Sequence, residues 1–480
     1  MWVQKIGAVL IGILMLSVQA LPVFAEEADT PKTYSDGMFT FAYVDGGVAL
    51  YSVQNTAVSV LIPEDTDGRK IVEISDGAFY GCSSLESVTI GANVRSIGKS
   101  AFAGCSSLTK VTVPENIQTI GENAFSGCTS LSTLELPDNL TEIPDGMCYF
   151  CALLEHINYP ESLEKIGTEA FYNCYLLPSP ELPEGLKSLG DYAFAFCGNI
   201  TDANLPSTLE KIGSAVYFKC TGLTEITIPA RTLDLGSLVF MGCTGITDFQ
   251  VKTGNSVYSS SEGILYKDDG TTLLNYPAGR KEESFTIPEG IKIIHDGAFL
   301  GAESLKNVNF PSTLKYVGAG AFEYCAGLTN IVLPEGTELI YENAFADCTS
   351  LSSVQFPDSL KGVGSRAFYA CPNLKEITIP SNCKTIGEYA FGYTDGIEKD
   401  ANGNPVPVKI QGFKKHMGAI KLSTILLILA GICLIWGIVT ALLKVIRKNQ
   451  ITPEESEKLH QAEEKDENYQ SITEDSEDNP

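Results

Sequence analysis

Histidine is scarce in this sequence. Four occur in 480 residues, His156, His295, His416 and His460, and they lie far apart. None stands beside a repeated acid or a nucleophile, so general acid–base chemistry through histidine has no constellation to rest on. GxSxG, HExxH, P-loop and calcium-loop patterns are also missing. No catalytic residue, cofactor or metal site is therefore assigned, and an enzyme is the least favoured class. Positive charge is short as well, with 33 Lys and Arg against 59 Asp and Glu, a net charge of −26. Nucleic acid and polyanionic surfaces are poor partners for such a chain. Long apolar runs are confined to the two ends.

The first run, in MWVQKIGAVLIGILMLSVQALPVFA, follows a single positive charge, Lys5, and leads to small residues at Val23-Phe24-Ala25. It reads as a secretory signal peptide, residues 1–25. The second, LSTILLILAGICLIWGIVTALL at 422–443, is 22 residues without a charge. At about 1.5 Å per residue a helix of that length crosses a bilayer core. Lys444, Arg447 and Lys448 follow it, and Lys414, Lys415 and Lys421 precede it. The signal peptide decides the orientation, with the N-terminal part outside. The last 32 residues carry 11 acidic and 2 basic side chains and almost nothing to bury. Residues 444–480 are expected to be a disordered, acidic cytoplasmic tail.

What fills the middle is a repeat. Ala78-Phe79, Ala101-Phe102, Ala124-Phe125, Ala170-Phe171 and Ala193-Phe194 fall on a 23-residue grid. Met147-Cys148, Val216-Tyr217 and Val239-Phe240 complete the first block. Ala298-Phe299, Ala321-Phe322, Ala344-Phe345, Ala367-Phe368 and Ala390-Phe391 form a second. One turn, AFAGCSSLTKVTVPENIQTIGEN at 101–123, places Ala101, Phe102, Cys105, Leu108, Val111, Val113, Ile117 and Ile120 at fixed offsets. Such a unit cannot bury its own apolar edge and must stack on copies of itself. Leu108–Val113 alternates and is β-branched, which predicts a short strand ended by Pro114. Ile117–Ile120 predicts a second strand-like piece, and Ala-Phe-x-x-Cys a short helical turn. The expected fold class is thus an α/β repeat with a parallel sheet.

The AFxxCxxLxxIxxPxxLxxIG frames, such as Ala321 to Gly336 and Ala344 to Gly364, closely resemble the BspA-like leucine-rich repeat family of surface proteins. The resemblance implies a curved, right-handed leucine-rich repeat solenoid. It also implies adhesion or ligand binding at a cell surface, without enzymatic activity in the repeats. The expected division is an N-terminal β cap at 26–70, repeats at 71–251, a β-hairpin insert at 252–287, repeats at 288–395, and a C-terminal cap and stalk at 396–421. In the insert, Asp269-Gly270 lies between two apolar strands, a hairpin signature.

Fourteen cysteines suggest a disulfide framework at first sight. Eleven occupy one grid slot, at 82, 105, 128, 151, 174, 197, 220, 243, 325, 348 and 371. Neighbouring rungs would bring their Cα atoms within disulfide range, but with parallel Cβ vectors. A ladder of free, buried thiols is the expectation. MCYFC at 147–151 contains a Cys-x-x-Cys pair, yet Cys151 is a rung and Cys148 sits in the Phe slot. The spacing is a coincidence of register. Outward-facing strand positions, such as Thr89, Thr112, Glu135, Asn158, Glu181 and Asn204, are polar and read as a solvated sheet face. Aromatics instead gather between the Phe and Cys slots of consecutive turns. Tyr149, Phe150, Tyr172, Phe196 and Phe218, with Tyr175 beside them, form a candidate binding patch.

These features describe a single-pass type I membrane protein with extracellular repeats. The expected partner is a surface or matrix protein or glycan of a host or neighbouring cell. A receptor signalling through the acidic tail and a passive surface-layer protein are the alternatives.

Overall fold

The computed structural model describes residues 32–392, apart from residue 268, and a strand at 409–411. The expected signal peptide, membrane span and cytoplasmic tail lie outside the described residues. The chain divides into two units at residue 413, and the described residues belong to the first.

Each 23-residue turn contributes two short strands. In the first row, Ser87–Thr89, Lys110–Thr112 and Thr133–Glu135 pair in parallel, with Val88, Val111 and Leu134 in one register. These three residues are buried, while Ser87, Thr89 and Glu135 face out. In the second row, Lys165–Ile166, Ser188–Leu189 and Lys211–Ile212 pair in the same way. Directly after the second row the chain must pass close to its neighbour. At Gly190 an added Cβ would lie 2.4 Å from the Thr168 amide nitrogen, so a side chain has no room there.

The Ala-Phe-x-x-Cys piece is not helical, and no helix occurs among the described residues. The α/β class gives way to a β-solenoid of parallel strands and turns. The reason lies in the backbone. Two positions per turn, four residues apart, are left-handed: Ser100 (φ 52°) and Gly104 (φ 76°), then Asn123 (φ 58°) and Gly127 (φ 71°). An α-helix requires φ near −60° throughout. Alternate amides therefore leave the local turn. Phe79 N donates to Ala101 O at 2.7 Å and Gly81 N to Ala103 O at 2.8 Å, both in the next turn. The amides between them close tight turns, Tyr80 N to Gly77 O at 2.8 Å and Cys82 N to Phe79 O at 3.0 Å.

The phenylalanines stack into columns. Phe171–Phe194 and Phe194–Tyr217 lie 5.3 and 5.7 Å apart, within 12° of parallel. Burial of each such ring contributes roughly 1.5–3 kcal/mol. Beneath them runs the cysteine ladder. Cys105 Sγ donates to Phe79 O at 3.2 Å, Cys174 to Cys148 O at 3.1 Å and Cys243 to Tyr217 O at 2.9 Å, always 26 residues back. The slot suits cysteine because it needs a small apolar body with a weak donor. All thirteen described cysteines are free and buried. Burial pushes the Cys148, Cys174, Cys197 and Cys243 thiols well up.

Before the first full turn, Thr33–Ser35, Phe39–Val44 and Gly47–Val53 form an antiparallel meander. Its last strand pairs in parallel with Arg69–Ile74, which carries the second row. The insert is a three-stranded meander, with Tyr258–Ser261 and Thr272–Asn275 on either side of Ile264–Lys267. The strand Tyr258–Ser261 is an addition to the hairpin expected from the sequence. Asp269 Oδ1 accepts the Thr271 amide at 2.8 Å and shapes the second turn. The stack also resumes earlier than the Ala-Phe pairs indicate. Thr272–Asn275 pairs in parallel with Ile293–Ile294, and Tyr276 stacks on Phe299 at 4.9 Å. Buried side chains form two clusters, which meet inside the insert at Leu265 and Ile264.

The first row is interrupted once within the first block. The strand expected at 179–181 does not form, and the next turn makes only the bridge Asp202–Glu225. Pro178 and Pro180 remove two amide donors from the ladder. Pairing is restored at Glu225–Ile228 with Asp248–Val251.

Candidate functional site

The candidate patch lies on the tight turns that follow the Phe column. The second residue after the Phe slot is left-handed in every turn of the first block. Most early turns use glycine there: Gly81, Gly104 and Gly127. The next four carry Phe150 (φ 61°), Asn173 (φ 58°), Phe196 (φ 60°) and Lys219 (φ 56°), and Gly242 follows. Asparagine tolerates this conformation well. For phenylalanine the left-handed region is an outlier costing on the order of 1 kcal/mol.

The sequence brings together five of the six predicted rings by direct contact. Tyr149 packs on Phe150 at 4.7 Å and stacks on Tyr172 at 5.0 Å. Tyr172 meets Phe196 edge-on at 5.2 Å, and Phe196 meets Phe218 edge-on at 5.3 Å. Such pairs contribute about 0.5–1.5 kcal/mol beyond burial. The chain of contacts spans four turns. Phe150 is 40% exposed and Tyr175 59% exposed, whereas Tyr149, Tyr172, Phe196 and Phe218 are half-buried. Tyr175 makes no ring contact with the others; its ring lies over Gly198, where an added Cβ would stand 2.7 Å away. Two members were not foreseen. Tyr192, 39% exposed, approaches Tyr172 at 6.4 Å. Lys219 places its ammonium 5.6 and 5.5 Å from the Phe196 and Phe218 ring centres, a cation–π arrangement. Its left-handed position beside Phe218 was the available signal. The Tyr172 hydroxyl is pushed up by burial and by the neighbouring Tyr149.

Cys148 is fully buried beneath this surface, and Cys151 Sγ donates to Phe125 O at 3.2 Å. The adjacent cysteines are thus built into the stack. Where Cys148 interrupts the Phe column, Tyr159 comes in from the strand side and meets Phe171 edge-on at 6.0 Å. Its hydroxyl is buried without a partner. Among the described residues, no group of three or more His, Cys, Asp and Glu could hold a metal ion.

Two strand rows, a column of stacked rings and a thiol ladder on a 23-residue period define a leucine-rich repeat solenoid. More narrowly, the chain belongs to the family described as BspA type leucine rich repeat region, whose model matches residues 66–178, 143–264 and 278–398. It is similar to a leucine rich cell surface protein from Faecalibacterium prausnitzii A2-165. That likeness has 25% identity, a TM-score of 0.56 and coverage of 77% of this chain and 100% of the other. A leucine-rich repeat protein from Bacteroides ovatus is 25% identical with a TM-score of 0.43, covering 74% of this chain and 99% of the other. The pneumococcal vaccine antigen PcpA is 20% identical with a TM-score of 0.45, covering 80% of this chain and 99% of its own. No curated protein matches the chain significantly.

Proposed function

We propose that this chain is a cell-surface adhesion or ligand-binding protein. Its contact surface is the aromatic patch Tyr149, Phe150, Tyr172, Tyr175, Phe196 and Phe218. One observation carries the reading: Phe150 and Phe196 hold a left-handed backbone in the slot that Gly81, Gly104, Gly127 and Gly242 fill in other turns of the first block. A ring at such a position costs stability, and strain of this kind gathers at functional sites. Exposed aromatics flanked by polar turns are typical anchors of protein contacts. The cell-surface description of the Faecalibacterium protein supports the setting. In this reading the segment 422–443 anchors the chain as a type I protein, with the repeats outside and the acidic tail in the cytoplasm. The partner is a surface or matrix protein or glycan of a host or neighbouring cell.

The test is binding of the full chain, held in detergent micelles, to a panel of matrix proteins, glycans and whole cells. Saturable binding to one class is expected. Tyr149→Ala combined with Phe196→Ala should weaken it at least tenfold while the protein remains folded. Undiminished binding by this folded variant would sink the patch, and no micromolar binding by the parent chain would favour a passive surface role.

A further inference from the structure

The turns that carry the aromatic patch also depart from the pattern on their strand side. Along the first row, Thr109 N donates to Glu86 O at 3.1 Å, Ser132 N to Thr109 O at 3.0 Å and Glu155 N to Ser132 O at 3.0 Å. The next donor would be residue 178, which is proline. No described group donates to the Glu155 carbonyl. The strand His156–Ile157 is therefore an open edge inside the sheet. Beyond it, the Asn158 side chain turns back on Leu136, meeting its N and O at 2.7 Å each.

A cleft of about 840 Å3 lies along this edge, lined by Glu135, Glu155, His156, Glu161, Glu181 and Glu184 among others. A second cleft, of about 370 Å3, shares Leu182, Glu184 and Asn204 with it and adds Asp202 and Glu225, with Lys252 as its cation. Glu135 is held by Lys110 at 3.4 Å, and Glu184 accepts the Ser207 hydroxyl at 2.7 Å. Carboxylates and an unpaired backbone carbonyl offer acceptors to the groove. Both call for a ligand rich in N–H donors and positive charge. An open strand edge calls for extended backbone.

We propose that this groove binds an extended, lysine- or arginine-rich peptide segment of a partner protein, which adds to the sheet where Pro178 and Pro180 have broken the ladder. This site shares no residue with the aromatic patch and does not depend on it. The carboxylates select charge, and the Glu155 carbonyl aligns the backbone.

The experiment is fluorescence anisotropy of a labelled alternating Lys-Thr decapeptide with the full chain, at low and at roughly physiological ionic strength. Saturable one-to-one binding is expected, with no binding of the Glu-Thr counterpart. The triple variant Glu155→Gln, Glu181→Gln, Glu184→Gln should weaken it at least tenfold. A control triple, Glu303→Gln, Glu342→Gln, Glu388→Gln, removes the same charge from exposed positions of the second block and should change it less than twofold. Equal loss in both triples would reduce the effect to general acidity and overturn the site, as would absence of saturable binding. A decapeptide N-methylated at alternate residues should bind at least fivefold more weakly; unchanged affinity would overturn the strand-addition mode.

Discussion

Raising the pH should unfold this protein through its thiol ladder. Burial pushes Cys220, Cys325 and Cys371 from 9.0 up to about 12. A thiol whose native value is raised binds its proton more tightly when folded. It therefore stabilises the fold fully below the unfolded value near 9, and that contribution is lost as pH climbs from about 9 toward 12. One unit above 9, each such thiol has given up about 1.4 kcal/mol. The three together lose about 4 kcal/mol between pH 8 and pH 10, a large part of the roughly 5–15 kcal/mol that holds a domain. Cys128, Cys174, Cys197, Cys243 and Cys348 shift in the same direction. Urea unfolding at pH 8, 9 and 10 measures the effect, and thiolate absorbance of the native protein measures its source. The thiols of Cys220, Cys325 and Cys371 should stay protonated at pH 9.5 in the native protein. Ordinary titration of several thiols in the folded protein, or a stability unchanged from pH 8 to pH 10, would refute the argument. Cys82 serves as an internal gauge: it is pushed up to about 11 by burial and then by Cys105, and should titrate ahead of Cys220.

Tyr217 stands in the Phe column with its hydroxyl fully buried and unpartnered. Tyr217→Phe removes that orphan and should stabilise the fold by about 1 kcal/mol in the same urea assay. Gly190→Ala forces a methyl group against the Thr168 amide and should destabilise by about 1–3 kcal/mol.

The stack was legible in the sequence because each physical requirement recurs every 23 residues. A ring at Phe102, a thiol at Cys105 and a strand residue at Val111 find their counterparts in the next turn, so chance cannot imitate them. The free thiols followed from strand geometry. The helical turn was misjudged because apolar spacing over five residues does not distinguish a helix from a folded corner. Gly81, Gly104 and Gly127, always two places after phenylalanine, were the signal for left-handed backbone. Tyr276 escaped the grid because Asn275 replaces alanine before it and Pro277 follows. Pro178 and Pro180 were visible, but the regularity of neighbouring turns carried the expected strand straight across them. The aromatic contacts were accessible to reasoning, since rings on stacked turns must meet. Phe150 and Phe196 stand in the slot of those glycines, so their strained conformation was carried by the register and not by the ring itself.

The hydrogen bonds that leave alternate amides for the next turn also set how the protein yields to force. Each described turn is bonded to its neighbour through parallel strands and corners, with no helix among the described residues to hold a released turn together. Tension applied from one end of the stack would load these bonds one turn at a time, like a zipper, instead of shearing many at once. Every turn released would pay out 23 residues of extended chain, about 80 Å of slack. Such a tether lengthens in steps while its remaining turns stay folded.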